Sequence, residues 1–202
     1  EKNVDSIGDD LRFHYSMGYK DFPKTFDLFR DLIKKNQFDL IGLGFMSHHW
    51  DIYVELTKVI HETLPNCKII AGGVHAWHIS QSDTLKHCDY ICAAEGEDLY
   101  SELVDHLSAK PNVSPICIPG LIEKHEKKII HTPVKKYIPM DDVPFPTYGD
   151  KKTYSIKAIN EDKPILLNKD VFVDSQWAFI HIGRGCVFKC TFCINSIHKD
   201  PT

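Results

Sequence analysis

The chain has 202 residues, 43% hydrophobic and 26% charged, with a formal net charge of −4. This is the composition of an ordinary globular protein, and its mild acidity offers no electrostatic footprint for nucleic acid or an anionic membrane surface. No apolar run approaches the ~20 residues that span a bilayer, and the first residues do not form a signal peptide. The seven cysteines are unevenly spread, which argues against a disulfide framework and for a reducing, cytoplasmic setting.

From about Phe26 the pattern becomes periodic. The stretch TFDLFRDLIKKN places Phe26, Leu28, Phe29, Leu32 and Ile33 on one helical face. FDLIGLGF is too short for a helix and reads as a buried strand ending near Met46. DIYVELTKVIHETLP is helical again, with Asp51 as its expected cap and Pro65 as its stop. CKIIAGG is a second strand running into a Gly pair. A polar, helix-like stretch around Ser80 to His87 leads to DYICAAEGE, a third strand, and EDLYSELVDHL closes the series as an amphipathic helix. Strands alternating with helices over short connections predict an α/β fold, a doubly wound, flavodoxin-like (Rossmann-type) parallel sheet. Three strands are few for such a sheet, so one or two are expected before Glu1. The opening SIGDDLRFHYSMGYKDFP then reads as the end of a strand and a long loop.

Beyond Lys110 proline punctuates the chain. GLIEKHEKKIIHTP reads as a β-hairpin, with Leu121 and Ile122 paired across KHEKK to Ile129 and Ile130. IPMDDVPFPTYGD is an extended connector. Polar, irregular residues are expected up to Asp174, after which WAFIHIG forms a strand.

That strand delivers GRGCVFKCTFCIN, where Cys186, Cys190 and Cys193 stand at C-x3-C-x2-C spacing. The three cannot share one face of a regular helix, but a loop can wrap them around a common point. Thiolates favour zinc or an iron–sulfur cluster. Structural zinc would need a fourth ligand, for which His181 and His198 are the near candidates, whereas a cluster on three cysteines leaves one iron open. Cys67, Cys88, Cys92 and Cys117 stand singly and read as small buried hydrophobes.

GRGCVFKCTFC resembles the cluster loop of the radical S-adenosylmethionine (SAM) superfamily, including the aromatic residue Phe192 just before the last cysteine. The resemblance implies a 4Fe–4S cluster on Cys186, Cys190 and Cys193, with SAM chelated by the open iron and Phe192 flanking its adenine. It also implies cleavage of SAM to a 5′-deoxyadenosyl radical. The preceding strand would be the first of a (β/α) radical SAM barrel, truncated in this chain.

Ligands of doubly wound sheets gather beyond the carboxyl ends of the strands, where GFMSHHW, AGGVHAW and AAEGED end. In their order these stretches resemble the cobalamin-binding domain that precedes many radical SAM cores, and the hairpin and MDDVPFPTYGD match its connector. The resemblance implies that Gly42, Gly44, Ser47, Gly72, Gly73, Glu95 and Gly96 line a cobalamin site. The D-x-H-x-x-G motif that supplies a lower cobalt ligand in many such domains does not occur; HYSMG at His14 lacks both its Asp and its spacing. His48, His49, His75 and His78 read as solvated or hydrogen-bonded loop residues, the adjacent pair pointing apart. Glu95, Glu97 and Asp98 are expected to favour the start of the following helix.

The expected organisation is a cobalamin-binding α/β domain over residues 1–110, a connector with a hairpin over 111–174, and the start of a radical SAM core over 175–202. The implied function is that of a cobalamin-dependent radical SAM enzyme, for methyl transfer to an unactivated carbon or a related radical cyclisation. Its partners would be a small-molecule substrate and an electron donor, and the present stretch alone would be inactive. The competing reading is a non-catalytic cobalamin- or zinc-binding sensor or carrier.

Overall fold

The computed structural model describes residues 12–14, 22–78, 81–93, 95–110, 113–134, 139–143, 153–158, 164–167, 188 and 190–193. They fall into two compact units, one of residues 22–137, the other combining residues 1–21 with 138–202.

In the first unit, helix α1 (Phe22–Asn36) buries Thr25, Phe29, Leu32 and Ile33, an i, i+4, i+7, i+8 stripe, while Phe26 and Leu28 flank it half-buried. The helix ends at Gln37, whose left-handed backbone (φ 55°) lets its N–H donate to the Ile33 carbonyl at 3.0 Å. Strand β2 (Leu40–Gly44) follows, then a short 3-10 turn (Ser47–His49) and helix α2 (Trp50–Thr63). Asp51 is not the cap of α2: His49 holds that position, and Asp51 lies in the first turn, where its charge still suits the helix dipole. Leu64 and Pro65 end the helix as expected.

Strand β3 (Lys68–Gly72) lies parallel to β2, with Gly42 opposite Ile70 and Gly44 opposite Gly72. Two short helices, α3 (Val74–His78) and α4 (Gln81–Thr84), lead to β4 (Tyr90–Cys92), which is parallel to β3. Helix α5 (Gly96–Ala109) then leads to the hairpin of β5 (Leu121–His125) and β6 (Lys128–His131).

The hairpin is not separate from the α/β domain. Strand β5 pairs antiparallel with β4, giving a five-stranded sheet in the order β2-β3-β4-β5-β6. The sheet is therefore mixed, parallel only over its first three strands. The hairpin register also differs from the expected one. Its tip is the two residues Glu126 and Lys127, so His125 faces Lys128 and Ile122 faces His131. Leu121 and Ile122 instead find their apolar neighbours across β4, where they face Cys92 and Ile91.

Alternation along the strands sends side chains to two cores. On one face Ala71, Ile91 and Ile122 pack with Phe45, Tyr53 of α2, Ala76 of α3 and Leu85. On the other, Ile70, Tyr90 and Leu121 pack with Leu99 and Leu103 of α5. Helices thus cover both faces.

In the second unit, β1 (Arg12–His14), β7 (Thr153–Ala158) and β8 (Pro164–Leu167) form a three-stranded sheet in the order β1-β7-β8. Two of these strands lie in the region expected to be irregular. They pair with each other as a local antiparallel hairpin, while β1 joins β7 in parallel across a long stretch of sequence. The WAFIHIG strand and Cys186 lie outside the described residues.

Candidate functional site

The carboxyl ends of β2 and β3 carry the glycines singled out in the sequence, and the structure divides them. A Cβ placed on Gly42 would lie 3.4 Å from Cε2 of Tyr100 and 3.8 Å from Cγ2 of Ile70, so Gly42 faces the α5 side of the sheet. Alternation puts Gly44 on the same side, and register puts Gly72 beside it. A Cβ on Gly44 or Gly72 would meet nothing within 4 Å. The three form a strip of bare backbone, open above Gly44 and Gly72 and covered at Gly42 by the half-exposed ring of Tyr100.

Gly73 serves another purpose. Its φ is +90°, and a Cβ there would lie 2.4 Å from the Phe45 carbonyl oxygen. Close approach does explain this glycine, but the approaching group is the chain's own β2 exit. Nearby, the Phe45 N–H donates to the Gly72 carbonyl at 3.2 Å and the Trp77 N–H to that of Gly73 at 3.4 Å.

Apolar side chains stand exposed at the same exits: Met46 after β2 is 59% exposed and Val74 after β3 is 39% exposed. Ser47 follows Met46, and its hydroxyl lies 3.0 Å from Nδ1 of His75 in α3. His75 is buried, its ring 5.4 Å from that of Phe45 and 5.0 Å from that of Trp50. It is hydrogen-bonded, as read, but buried in a helix and not solvated on a loop. Nor do His48 and His49 point apart: their ring centroids are 4.0 Å from each other, because a 3-10 turn lacks the alternation of extended chain. Partial burial and the neighbouring His48 hold His49 below the usual histidine pKa. Among the described residues, no group of three His, Cys, Asp or Glu is arranged to hold a metal ion.

On the helical layer, Trp50, His75, Asp83, Lys86 and His87 line a surface pocket of about 350 Å³. Its charges are internally matched, with Lys86 Nζ 2.6 Å from Asp83, and burial lowers the pKa of His87. The pocket therefore presents chiefly aromatic and imidazole surface.

Glu95 occupies the N-cap position of α5 with extended backbone and no side-chain capping bond, Glu97 and Asp98 lie in the first turn, and Gly96 borders open space.

In the second unit the described part of the cysteine loop is a turn in which the Cys193 N–H donates to the Cys190 carbonyl at 3.1 Å. Cys190 is exposed, Cys193 half-buried, and Phe192 is 90% exposed. Among the isolated cysteines, Cys67 is buried, and burial raises its thiol to about 11 and that of Cys88 to about 12. Cys117 is exposed, contrary to its reading as a buried hydrophobe.

Tyr100 and the Ser47–His75 pair escaped the sequence reading. Tyr100 adjoins Leu99 at the margin of the buried stripe of α5, so periodicity alone gives it no role. The hydrogen bond joins segments separated by all of α2 and β3.

Comparison with known proteins points to one class: cobalamin-dependent radical SAM enzymes occur among both the sequence relatives and the structural neighbours, at low identity. No protein-family model matches the chain. The cobalamin-dependent radical SAM methyltransferase TokK of Streptomyces tokunonensis is 23% identical over 159 residues, 77% of this chain and 22% of TokK. The anaerobic magnesium-protoporphyrin IX monomethyl ester cyclase of Synechocystis sp. is 25% identical over 170 residues, 80% of this chain and 31% of the cyclase. The chain thus spans less than a third of either relative. Among solved structures, the apo form of the cobalamin-dependent S-adenosylmethionine radical enzyme OxsB aligns over 61% of this chain and 18% of its own, at 20% identity and a TM-score of 0.50. The radical S-adenosylmethionine methyltransferase TsrM from Kitasatospora setae aligns over 57% of this chain and 22% of its own, at 15% identity and a TM-score of 0.45. The fold likeness rests on the OxsB alignment.

Proposed function

We propose that this chain is part of a cobalamin-dependent radical SAM enzyme, acting in methyl transfer to an unactivated carbon or a related radical cyclisation. The observation that carries the reading is the C-x3-C-x2-C loop with Phe192 before its last cysteine. Three thiolates in one loop suit an iron–sulfur cluster, because they ligate soft metal and leave one iron free for SAM. Cys186, Cys190 and Cys193 would hold the cluster, and the exposed ring of Phe192 would lie against the adenine of SAM.

The strip of Gly42, Gly44 and Gly72 fits a corrinoid. Its bare backbone admits a flat group, Tyr100 offers an aromatic edge, and Met46 and Val74 supply apolar surface that a bound ligand would cover. Ser47, Glu95 and Gly96 would add contacts around it. When bound, the cluster supplies the electron for reductive cleavage of SAM, and the corrinoid supplies a transferable methyl group. The chain's own residues bind, orient and shield these groups. A small-molecule substrate and an electron donor complete the reading. Among the described residues, no helix is long and apolar enough to cross a membrane.

The test uses the full-length protein, reconstituted anaerobically with iron and sulfide. Alanine at Cys186, Cys190 or Cys193 is expected to abolish cluster content and SAM cleavage together, since each removes a ligand to the same group. Alanine at Cys67, Cys88, Cys92 or Cys117 should keep both, at a cost of about 1 kcal/mol in stability where the thiol is buried. Equal loss across all seven variants, or zinc bound in place of iron, would remove the reading.

A further inference from the structure

We propose that His75 is a positioning residue: it fixes the hydroxyl of Ser47 at the exit of β2, and corrinoid affinity depends on that bond although His75 makes no corrinoid contact. The proposal rests on the cobalamin reading above.

Ser47 and His75 lie on different strand exits. Ser47 follows β2 in a 3-10 turn, and His75 lies in α3 just after β3. Their hydrogen bond, Oγ to Nδ1 at 3.0 Å, ties the two exits together, each partner three residues beyond a glycine of the strip, Gly44 before Ser47 and Gly72 before His75. The partners differ in freedom. Ser47 is exposed, so its hydroxyl alone would rotate among three staggered positions. His75 is only 9% exposed, and its ring is packed against Phe45 and Trp50. Phe45 is in turn stacked on Tyr53, with centroids 4.1 Å apart and planes 14° from parallel. An immobile imidazole therefore sets the direction of a mobile hydroxyl.

The remaining hydrogen-bonding capacity follows from chemistry. A hydroxyl has one donor and two acceptor sites. If Nδ1 carries the proton and donates to Oγ, the Ser47 hydrogen is released for an acceptor such as a ligand phosphate or amide carbonyl. If Nδ1 accepts, the Ser47 lone pairs remain for an amide N–H. Corrinoid side chains and the nucleotide tail present both kinds of partner. Pre-aiming the hydroxyl removes an ordering cost from binding.

The experiment titrates hydroxocobalamin into the full-length protein and follows the corrinoid spectrum. The variants are Ser47→Ala, His75→Leu, His75→Asn and the double variant Ser47→Ala/His75→Leu. The amide nitrogen of Asn can take the place of Nδ1, whereas Leu leaves no polar atom. Ser47→Ala and His75→Leu should each weaken binding about tenfold, the scale of one hydrogen bond. His75→Asn should bind within about threefold of wild type, and the double variant no more weakly than either single one. In the ligand-free protein, Ser47→Ala should shift the His75 ring-nitrogen resonances.

Equal losses for His75→Asn and His75→Leu would reduce His75 to a packing residue and overturn the proposal, as would additive losses in the double variant. Should His75→Leu fail to fold, Ser47→Ala decides, because it alters an exposed side chain: unchanged affinity there overturns the proposal. A wild-type protein that takes up no corrinoid would overturn the cobalamin reading and this inference with it, whereas binding without rescue by Asn would overturn the inference alone.

Discussion

Gly72 and Gly73 are neighbours in sequence, yet a methyl group added to each meets different surroundings. At Gly72 it enters open space; at Gly73 it meets the Phe45 carbonyl in a backbone conformation that L residues rarely adopt. Gly73→Val should therefore cost stability, about 3 kcal/mol or more from clash and strain together. Gly44→Val and Gly72→Val should leave urea unfolding within about 0.5 kcal/mol of wild type while weakening corrinoid binding in the full-length protein. Unfolding curves and corrinoid titrations on the three variants separate the two roles. Reversal of this pattern, with Gly73→Val stable and Gly72→Val binding normally, would show that the strip is not the ligand's seat. The sequence pointed to the Gly pair as a unit, because identity and position alone carry no information on which glycine the backbone requires.

At the scale of elements, legibility followed the range of the interactions only in part. Helices α2 and α5 and strands β2, β3 and β4 were readable because their apolar periods are local. The hairpin was readable in outline, but its register was set by which two residues form the tip, and apolar residues on both arms made another pairing equally plausible. Strands β7 and β8 form a local antiparallel hairpin, and the alternation of Tyr154, Ile156 and Ala158 was a local signal that went unused; only the pairing of β7 with β1 spans a long distance in sequence. The hairpin tip itself carries a testable strain. Glu126 has φ 54°, and glycine adopts that region without steric cost. Glu126→Gly should stabilise the protein by about 0.5 kcal/mol, read as a higher urea midpoint at unchanged m-value. A lower midpoint would show that the glutamate side chain contributes more than the turn conformation costs.

For the whole molecule, contacts divide the chain into residues 22–137 and the remainder, a different partition from the three-part plan that the family resemblance implied. The first unit holds both apolar cores and all five strands of the mixed sheet. A polypeptide of residues 22–137 should accordingly unfold in a single cooperative transition, with circular dichroism and tryptophan fluorescence giving the same midpoint. Separate midpoints, or no transition, would show that it needs the rest of the chain. The cysteine loop belongs to the other unit, and its C-x3-C-x2-C spacing is a feature of the sequence that does not depend on the surrounding fold.

The change from parallel to antiparallel pairing at β4 bears on how the chain is made. As the polypeptide leaves the ribosome, β2, β3 and β4 emerge in turn, but β5 begins only at Leu121, after α5 and a further loop. Until then the far edge of β4 has no neighbour, and an unpaired edge is a template for association with another nascent chain. Once complete, the hairpin can close within about 10 μs, whereas pairing across the crossovers must first close longer loops. Synthesis thus leaves the middle of the sheet open until its last two strands arrive together as a preassembled pair. With only three residues in β4, the template exposed during that interval is short.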